Sequence, residues 1–300
     1  MSSTALRGVH VPLITPFSAD GAVALDALER LAHEYLDAGA AGLVPLGTTG
    51  EAPLLDAAEK RAVVELCARV GRERGAQVIV GSGSNNTAAT VHATVEYGGI
   101  TGVTHAMVVV PYYVRPSQAG IVAHLRAAAD ASPVPVVVYN IPVRTGRVLE
   151  AAGMLEVAAH PNVVGVKQAV DGIDLATLQI LAGAPADFAV LGGDDPYLYP
   201  TVLLGGAGAI CASAHVCTER FVRMIDCALE GDLAGGRAHH EALLPVVEAV
   251  FAEPNPSVFK AVLHAQGRIP TPDLRLPLTP ASPAARDRAL AAVAAATPTA

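Results

Sequence analysis

The chain has 300 residues, of which 52% are hydrophobic and 16% are charged, so it can bury a sizeable core. Its formal net charge of −8 argues against nucleic acids and anionic membrane surfaces as its main partners. No window approaches the roughly 18 uncharged apolar residues of a membrane span, and Met1–Arg7 lacks the pattern of a signal peptide, so we expect a cytoplasmic protein.

Short runs of β-branched residues alternate with longer alanine- and leucine-rich segments about eight times along the chain. The strand-like runs are Val9–Thr15, Gly42–Leu46, Gln77–Gly81, His105–Val110, Val134–Tyr139, Val163–Lys167, Phe188–Leu191 and Gly208–Cys211. The helical segments are Leu25–Ala38, Ala57–Arg74, Thr87–Tyr97, Gln118–Ala131, Ala152–His160, Asp174–Ala182, Pro196–Leu204 and Glu219–Glu230. This alternation predicts an α/β fold with a parallel sheet, and the count favours a closed (β/α)8 TIM barrel. A doubly wound open sheet is the alternative, but no G-x-G-x-x-G follows the first strand.

From about Asp232 the pattern changes to helix alone. Three candidate helices with proline-rich connections follow, at Leu233–Phe251, Pro256–Gln266 and Pro283–Ala295. We therefore predict a barrel that carries the active site over residues 1–231 and a C-terminal helical extension over residues 232–300.

The sixth strand-like run ends in a lysine. Val163–Lys167 is apolar up to Lys167, which is typical of a strand buried on both faces. Burial disfavours the charged form of an amine, and a neutral amine attacks carbonyl carbon, so Lys167 is a candidate to form a Schiff base. The alternative is a strand-end lysine that simply reaches into water, and this stretch alone favours that alternative.

Polar residues follow the other strands at the same end, where barrel enzymes carry their active sites. Thr48-Thr49 offers two hydroxyls in a glycine-bracketed turn that suits a small carboxylate. Tyr113 and Tyr139 offer phenols as proton relays, and Arg144 offers a guanidinium that can clamp a carboxylate. Each residue alone has an ordinary explanation, such as a capping threonine, a rim tyrosine or a surface arginine. Together with Lys167 they suit imine chemistry on a small keto acid.

A metal-dependent barrel would carry histidines and carboxylates at several strand ends. Most of the ten histidines fall in helical segments instead. The four cysteines form no metal-like cluster with histidine, and we interpret them as buried thiols in a reducing compartment. They are Cys67, Cys211, Cys217 and Cys227. The pair Asp194-Asp195 lacks partners at other strand ends, so we interpret it as helix capping and expect no metal site.

Five strand-end motifs resemble, in order and spacing, those of the dihydrodipicolinate synthase/N-acetylneuraminate lyase family. They are Gly47-Thr48-Thr49-Gly50-Glu51, Pro111-Tyr112-Tyr113, Tyr139-Asn140-x-Pro142-x-Arg144-Thr145-Gly146, Gly165-Val166-Lys167 and Gly193-Asp194-Asp195. The similarity runs from about Gly8 into the C-terminal extension. There, Glu253-Pro254-Asn255-Pro256 and Leu274-Arg275-Leu276-Pro277 resemble the synthase branch of the family.

The resemblance implies a class I lyase that holds pyruvate as a covalent imine and needs no other cofactor. It also implies a homotetramer built as a dimer of dimers. By position, Lys167 matches the lysine that forms the imine and Tyr139 the general acid/base. Thr48 matches the hydroxyl that links Tyr139 to a second tyrosine, Tyr113, which in the family reaches into the neighbouring subunit's site.

The resemblance also implies a substrate pocket and a reaction. Thr49 matches the residue that holds the pyruvate carboxylate, and Arg144 the one that meets the carboxylate of the incoming aldehyde. Gly193 and the Ile210 carbonyl line the same pocket. The implied reaction condenses pyruvate with aspartate semialdehyde to 4-hydroxy-tetrahydrodipicolinate, in lysine and diaminopimelate biosynthesis.

Three positions depart from the family pattern. Gln168 stands where an acidic residue is common, Val143 where serine or glycine is commoner, and Gly192 where serine often occurs. We expect all three to border the aldehyde side of the pocket. One alternative is therefore another pyruvate-dependent aldolase or dehydratase of the same family, acting on a sugar acid or 2-oxo acid. A more distant alternative is a barrel that binds a keto acid without catalysis.

Feedback inhibition by lysine is expected to be weak or absent. The positions that correspond to the family's lysine site hold mostly apolar residues or a cation here, with only Asn85 and Tyr112 retained. The replaced positions are Ala52, Pro53, Ala57, Lys60 and Ala89. A cationic ligand gains nothing from Lys60 and loses its carboxylate partner at Ala89.

Overall fold

The structure is a computed structural model that describes residues 6–297. Residues 1–5, which make up most of the segment in which we expect no signal peptide, and residues 298–300 lie outside this range. Eight parallel strands close into a barrel in chain order, and β8 pairs with β1. The prediction of a (β/α)8 barrel is confirmed.

The strands surround the barrel axis and the helices surround the strands. The strands are β1 (Gly8–Val11), β2 (Gly42–Leu43), β3 (Gln77–Gly81), β4 (His105–Val109), β5 (Val136–Asn140), β6 (Val163–Gln168), β7 (Ala189–Gly192) and β8 (Gly208–Ile210). The barrel helices are α1 (Leu25–Asp37), α2 (Ala57–Arg74), α3 (Thr87–Gly98), α4 (Gln118–Ala131), α5 (Pro142–Thr145), α6 (Ala151–Ala158), α7 (Leu175–Gly183), α8 (Leu198–Leu203) and α9 (Ala214–Glu230).

Several boundaries differ from the predicted ones, and two of these differences have identifiable reasons. The first strand ends at Val11 because the next residue, Pro12, has no N–H to donate to a neighbouring strand. The last barrel helix begins at Ala214, five residues before the predicted start, and passes through a non-helical residue, Cys217, with φ −144° and ψ 47°. The hydrophobic periodicity predicts only the portion of this helix that follows the kink at Cys217.

Side chains on the strands alternate between two apolar layers. On β5, Val137 and Tyr139 belong to the cluster inside the barrel, whereas Val138 packs against the surrounding helices. The β5–β6 register places Tyr139 beside Lys167. Since successive strand residues face opposite sides, Lys167 points into the barrel and Gln168 points towards the helices.

The C-terminal segment forms α10 (Leu233–Val250), α11 (Ser257–Ala265) and α12 (Pro283–Ala296). Its buried residues Leu243, Phe259 and Val293 share one continuous core cluster with Val11 and Phe221 of the barrel. The division at residue 231 remains a prediction. Among the helices of residues 6–297, none combines the length and apolar character needed to cross a membrane.

Candidate active site

A cavity of about 540 Å³ opens at the C-terminal ends of the strands. Its lining brings together six of the eight site residues that the sequence predicts. They are Thr48, Thr49, Tyr139, Arg144, Lys167 and Gly193. The cavity combines an amine, a phenol, two hydroxyls and a guanidinium, so it can hold a small anionic carbonyl compound next to a nucleophile.

Lys167 lies at the bottom of this cavity, with 7% of its surface exposed. Its Nζ is 4.4 Å from the centroid of the Tyr139 ring. Within residues 6–297 Lys167 forms no salt bridge, in contrast to the second buried lysine, Lys260, which pairs with Glu51. The Lys167 amine is therefore available to a ligand.

Gly193 makes room for the Lys167 side chain. A Cβ added at Gly193 would lie 2.9 Å from both Cγ and Cε of Lys167 and 3.0 Å from Cβ of Ala169. The Gly193 N–H donates to the Gln168 carbonyl at 2.8 Å, which holds the loop after β7 against β6. Any larger residue here would displace the lysine stem.

The two threonines lie on a single 3-10 turn, Thr48–Gly50, in the loop that follows β2. This turn is fastened on both sides by side-chain hydrogen bonds. Thr15 Oγ donates to the Gly50 carbonyl at 2.7 Å, and Asn255 Nδ2 donates to Thr49 Oγ at 3.1 Å. The turn therefore presents its hydroxyls to the cavity in a fixed orientation.

Arg144 projects from the short helix α5 at the cavity mouth. Thr145 Oγ donates to the Ile141 carbonyl at 3.0 Å, and Gly146 ends the helix in the left-handed region with φ 67°. These contacts fix the backbone at Arg144 while its guanidinium stays exposed. A planar cation in this position suits bidentate binding of a carboxylate.

Two predicted site residues lie elsewhere in this protomer. Tyr113 is 87% exposed, has φ 69°, and does not line the cavity. Ile210 is fully buried in the cluster inside the barrel, and its neighbour along the chain that lines the cavity is Ala212. The phenol pair Tyr113 and Tyr139 is therefore not assembled within a single protomer.

Of the three departures from the family pattern, only Val143 lines the cavity, so the expectation for Gln168 and Gly192 is wrong. Gln168 faces away from the cavity because it follows Lys167 on the strand. Its side chain donates to Thr177 Oγ on α7 and accepts from Asn140 Nδ2, both at 3.1 Å.

A Cβ at Gly192 would likewise meet Leu198, at 2.7 Å, rather than a ligand. The position is thus constrained by packing between β7 and α8.

Asp194 occupies the N-cap position of the 3-10 turn Asp195–Tyr197, but its side chain makes no capping hydrogen bond, so the interpretation as helix caps holds for the position of Asp194 only. Asp195 accepts a hydrogen bond from the Ser213 N–H at 2.7 Å, and Asp194 accepts one from the Asp171 N–H. Both line the cavity. Burial raises the pKa of Asp195 to about 6, and burial also raises the pKa of Asp194.

The C-terminal extension supplies cavity residues that the sequence does not reveal. Leu244, Val247, Glu248 and Phe251 of α10 and the adjoining turn form one wall, and Asn255 lies beside Thr49. Their sequence signal is weak because they lie 32 or more residues after Ala212, the last barrel residue of the cavity lining. Among residues 6–297, no group of three or more histidine, cysteine, aspartate or glutamate side chains is placed to hold a metal ion.

A buried amine beside a phenol, at the C-terminal mouth of a parallel barrel, defines a lysine-dependent barrel lyase of the Schiff-base class. The sequence profile described as the Dihydrodipicolinate synthetase family matches residues 5–296. The chain therefore belongs to this family of lyases.

Individual relatives agree over nearly the whole chain. The 4-hydroxy-tetrahydrodipicolinate synthase of Moorella thermoacetica is 42% identical over 281 residues, which cover 94% of this chain and 95% of that protein. The dihydrodipicolinate synthase of Thermotoga maritima superposes with a TM-score of 0.93 at 32% identity, covering 97% of this chain and 99% of that one. The enzyme of Cyanidioschyzon merolae, whose crystal structure has lysine bound, superposes with a TM-score of 0.91 at 33% identity, covering 97% and 98%.

Proposed function

We propose that this protein condenses pyruvate with aspartate semialdehyde through an imine on Lys167, giving 4-hydroxy-tetrahydrodipicolinate for lysine and diaminopimelate biosynthesis. The observation that carries the proposal is the buried Lys167 amine beside the Tyr139 ring, in a cavity that also holds Thr49 and Arg144. The names of the relatives that match most of the chain support the same reaction.

The first half of the reaction forms the imine. The Lys167 amine adds to the C2 carbonyl of pyruvate, while Thr49 donates to the pyruvate carboxylate. Tyr139 gives its proton to the carbinolamine oxygen, and loss of one water leaves the imine. After Tyr139 has given up its proton, its phenolate must be reprotonated. The hydroxyls of Thr48 and of Tyr113 from a neighbouring subunit provide the relay for this proton.

The second half forms the carbon–carbon bond. Loss of a proton from the pyruvate methyl group gives an enamine, whose carbon attacks the aldehyde carbon of aspartate semialdehyde, while Arg144 binds the aldehyde's carboxylate. The amino group of the adduct then attacks C2, closes the ring and releases the free Lys167 amine. The imine between Lys167 and C2 of pyruvate accepts the electrons when the methyl group loses its proton, so the cycle needs no further cofactor.

Borohydride trapping tests the covalent step. The protein incubated with pyruvate and sodium borohydride should gain the mass of one reduced pyruvyl group, on the peptide that contains Lys167. The Lys167→Ala variant is the matched control and should gain none. Absence of the adduct in the unmodified protein, or its persistence in the variant, would contradict the proposal.

A substrate panel tests the second substrate. A coupled assay with pyruvate and aspartate semialdehyde should show turnover well above that with sugar acids or other 2-oxo acids. Preferential turnover of a sugar acid would instead assign the protein to another reaction of the family.

We also propose that the active form is a homotetramer of the dimer-of-dimers type, located in the cytoplasm. Tyr113 is 87% exposed and lies between Tyr112 and Val114, which are 37% and 57% exposed, an apolar run that supports an interface at this loop. The unpaired cysteines, including the fully buried Cys67 and Cys211, support a reducing compartment. Sedimentation at assay concentration measures the assembly, and an active monomer would contradict it.

A further inference from the structure

A buried ion pair lies directly beside the Thr48–Gly50 turn. The side chains of Glu51 and Lys260 are both 0% exposed, and Lys260 Nζ donates to Glu51 Oε1. The proposed reaction gives neither residue a role. A buried ion pair stabilises a fold no better, in many cases, than apolar residues of similar volume, so stability alone explains this one poorly.

Glu51 holds a backbone conformation that its own side chain disfavours. It ends the 3-10 turn with φ 54° and ψ 31°, in the left-handed region that is disfavoured for residues with a Cβ. Such a conformation persists where surrounding contacts determine it. Both carboxylate oxygens of Glu51 have partners from the C-terminal extension, Lys260 Nζ and the Arg275 N–H, the latter at 3.0 Å.

Three contacts fix the position of the Lys260 ammonium. Besides Glu51, its Nζ donates to the Asp273 carbonyl at 2.9 Å and lies 4.0 Å from the centroid of the Phe17 ring. Burial lowers the pKa of Lys260 to about 8, so the ammonium remains mostly charged at pH 7. The side chain thus connects α11 to the segment around Asp273 and to the first barrel loop.

The same extension orients one of the threonine hydroxyls. Asn255, which precedes α11, donates through Nδ2 to Thr49 Oγ at 3.1 Å. Since the oxygen of Thr49 accepts this bond, the hydroxyl proton is left to donate to a ligand. Residues of the C-terminal extension therefore fix the orientation of the Thr48–Gly50 turn through hydrogen bonds to both Thr49 and Glu51.

We propose that Glu51 and Lys260 are positioning residues, which hold the Thr48–Gly50 turn in its left-handed ending so that the two threonine hydroxyls point at the reacting pyruvate. The C-terminal extension then acts on catalysis through α11, in addition to covering the barrel. This inference rests on the proposed function, because it takes Thr49 as the contact to the pyruvate carboxylate and Thr48 as part of the proton relay.

The test compares Glu51→Gln with the double variant Glu51→Gln/Lys260→Met. The single variant leaves the Lys260 charge buried without a carboxylate and should lose stability, whereas the double variant buries no charge at this position. Both should show kcat/KM for pyruvate reduced about 10- to 100-fold, since displacement of a positioned group by about 1 Å costs up to that much. KM should rise through Thr49 and kcat should fall through Thr48. Hydrogen exchange of the backbone amides of residues 48–54 should be faster.

Leu125→Ala, in the separate core cluster around α4, serves as the control for stability. The two variants are compared at temperatures equally far below their melting temperatures. There, Leu125→Ala should keep kcat and KM within twofold of the parent. Parental kinetics in the double variant, or equal kinetic loss in Leu125→Ala, would overturn the inference. If the parent protein forms no borohydride adduct, the proposed function fails. Unchanged exchange at residues 48–54 in the variants would even then refute the proposal that Glu51 and Lys260 hold the Thr48–Gly50 turn.

Discussion

The Nζ of Lys167 lies 4.4 Å from the centre of the Tyr139 ring, and the two residues are direct neighbours on β6 and β5. Parallel register fixes this arrangement, because both side chains must point into the barrel. The proposed nucleophile and its proposed proton donor are thus placed by the sheet itself, which is more rigid than a loop. Tyr139 therefore combines two functions, a packed ring and the proposed source of a proton.

Tyr139→Phe should separate these two functions. The ring and its contact with Lys167 remain, so the melting temperature should change little, whereas kcat should fall by about 10²–10⁴-fold through loss of the proton donor. Steady-state kinetics and thermal unfolding measure the two effects. Tyr97→Phe, on the outer helix α3, is the control and should keep parental activity. Near-parental kcat in Tyr139→Phe would exclude a role in proton transfer.

Gly193→Ala should damage activity through contact with Lys167. The added methyl group would lie 2.9 Å from two carbons of the lysine stem, so the amine must move away from its place beside Tyr139. We expect kcat/KM for pyruvate to fall about 100-fold, with a loss of roughly 1–3 kcal/mol in the free energy of unfolding. Gly120→Ala on the exposed start of α4 is the control. A rate of borohydride trapping equal to that of the parent would contradict this prediction.

Gln168→Leu should affect stability and leave the chemistry intact. The substitution removes the hydrogen bonds to Asn140 and Thr177 on the helix-facing side of β6. We expect the free energy of unfolding to fall by about 1–3 kcal/mol, because the Asn140 amide loses a buried partner. KM values for both substrates should remain within twofold. A change in preference among aldehydes would show that this position acts on the second substrate after all.

The contrast between Lys167 and Gln168 shows how far the sequence leads. Alternation of strand and helix predicts the barrel, and strand ends then collect Thr48, Tyr139 and Arg144 at one mouth. Strand periodicity also contains the information that Gln168 faces the other way, but a motif comparison treats adjacent residues alike. Applying the period of two to each motif residue removes that error.

Other features of the site lie beyond any local pattern. Lys260 meets Glu51 across 209 positions of the chain, and Asn255 meets Thr49 across 206. Neither contact produces a periodicity, and both depend on how the C-terminal helices pack on the completed barrel. Tyr113 lies outside the cavity for a different reason: the relay proposed for it requires a second subunit.

We expect little or no inhibition by lysine. A second cavity of about 390 Å³, lined by Ala52, Pro53 and Tyr112, adjoins the first one. The carboxylate among its lining residues belongs to Glu51, which is already paired with Lys260, so the ammonium of lysine gains no free carboxylate there. Steady-state rates measured with increasing lysine should stay constant through the submillimolar range. Inhibition in that range would refute the prediction, and Ala89→Glu, which supplies a carboxylate, should increase sensitivity.

His215 should make the fold sensitive to acid. Its ring is fully buried, Nε2 accepts from the Ile14 N–H at 3.1 Å, and Nδ1 bonds the Ala212 carbonyl at 2.7 Å. Both bonds together require the neutral ring, because a protonated Nε2 has no lone pair for Ile14. Burial accordingly lowers the pKa of His215 to about 4.

The sign of the pH effect follows from this lowered pKa. Between about pH 6.5 and pH 4 the unfolded chain binds a proton at His215 that the folded chain does not, so stability is lost as the pH falls, by about 3 kcal/mol in total. Asp195 opposes part of this loss, since its pKa is raised to about 6 and its ionised form destabilises the fold above that pH. Urea unfolding at pH 7 and pH 4.5 measures the net change. His215→Gln, which cannot titrate, should lower stability at pH 7 and show a shallower decline towards acid; a decline as steep as the parent's would show that other groups cause it.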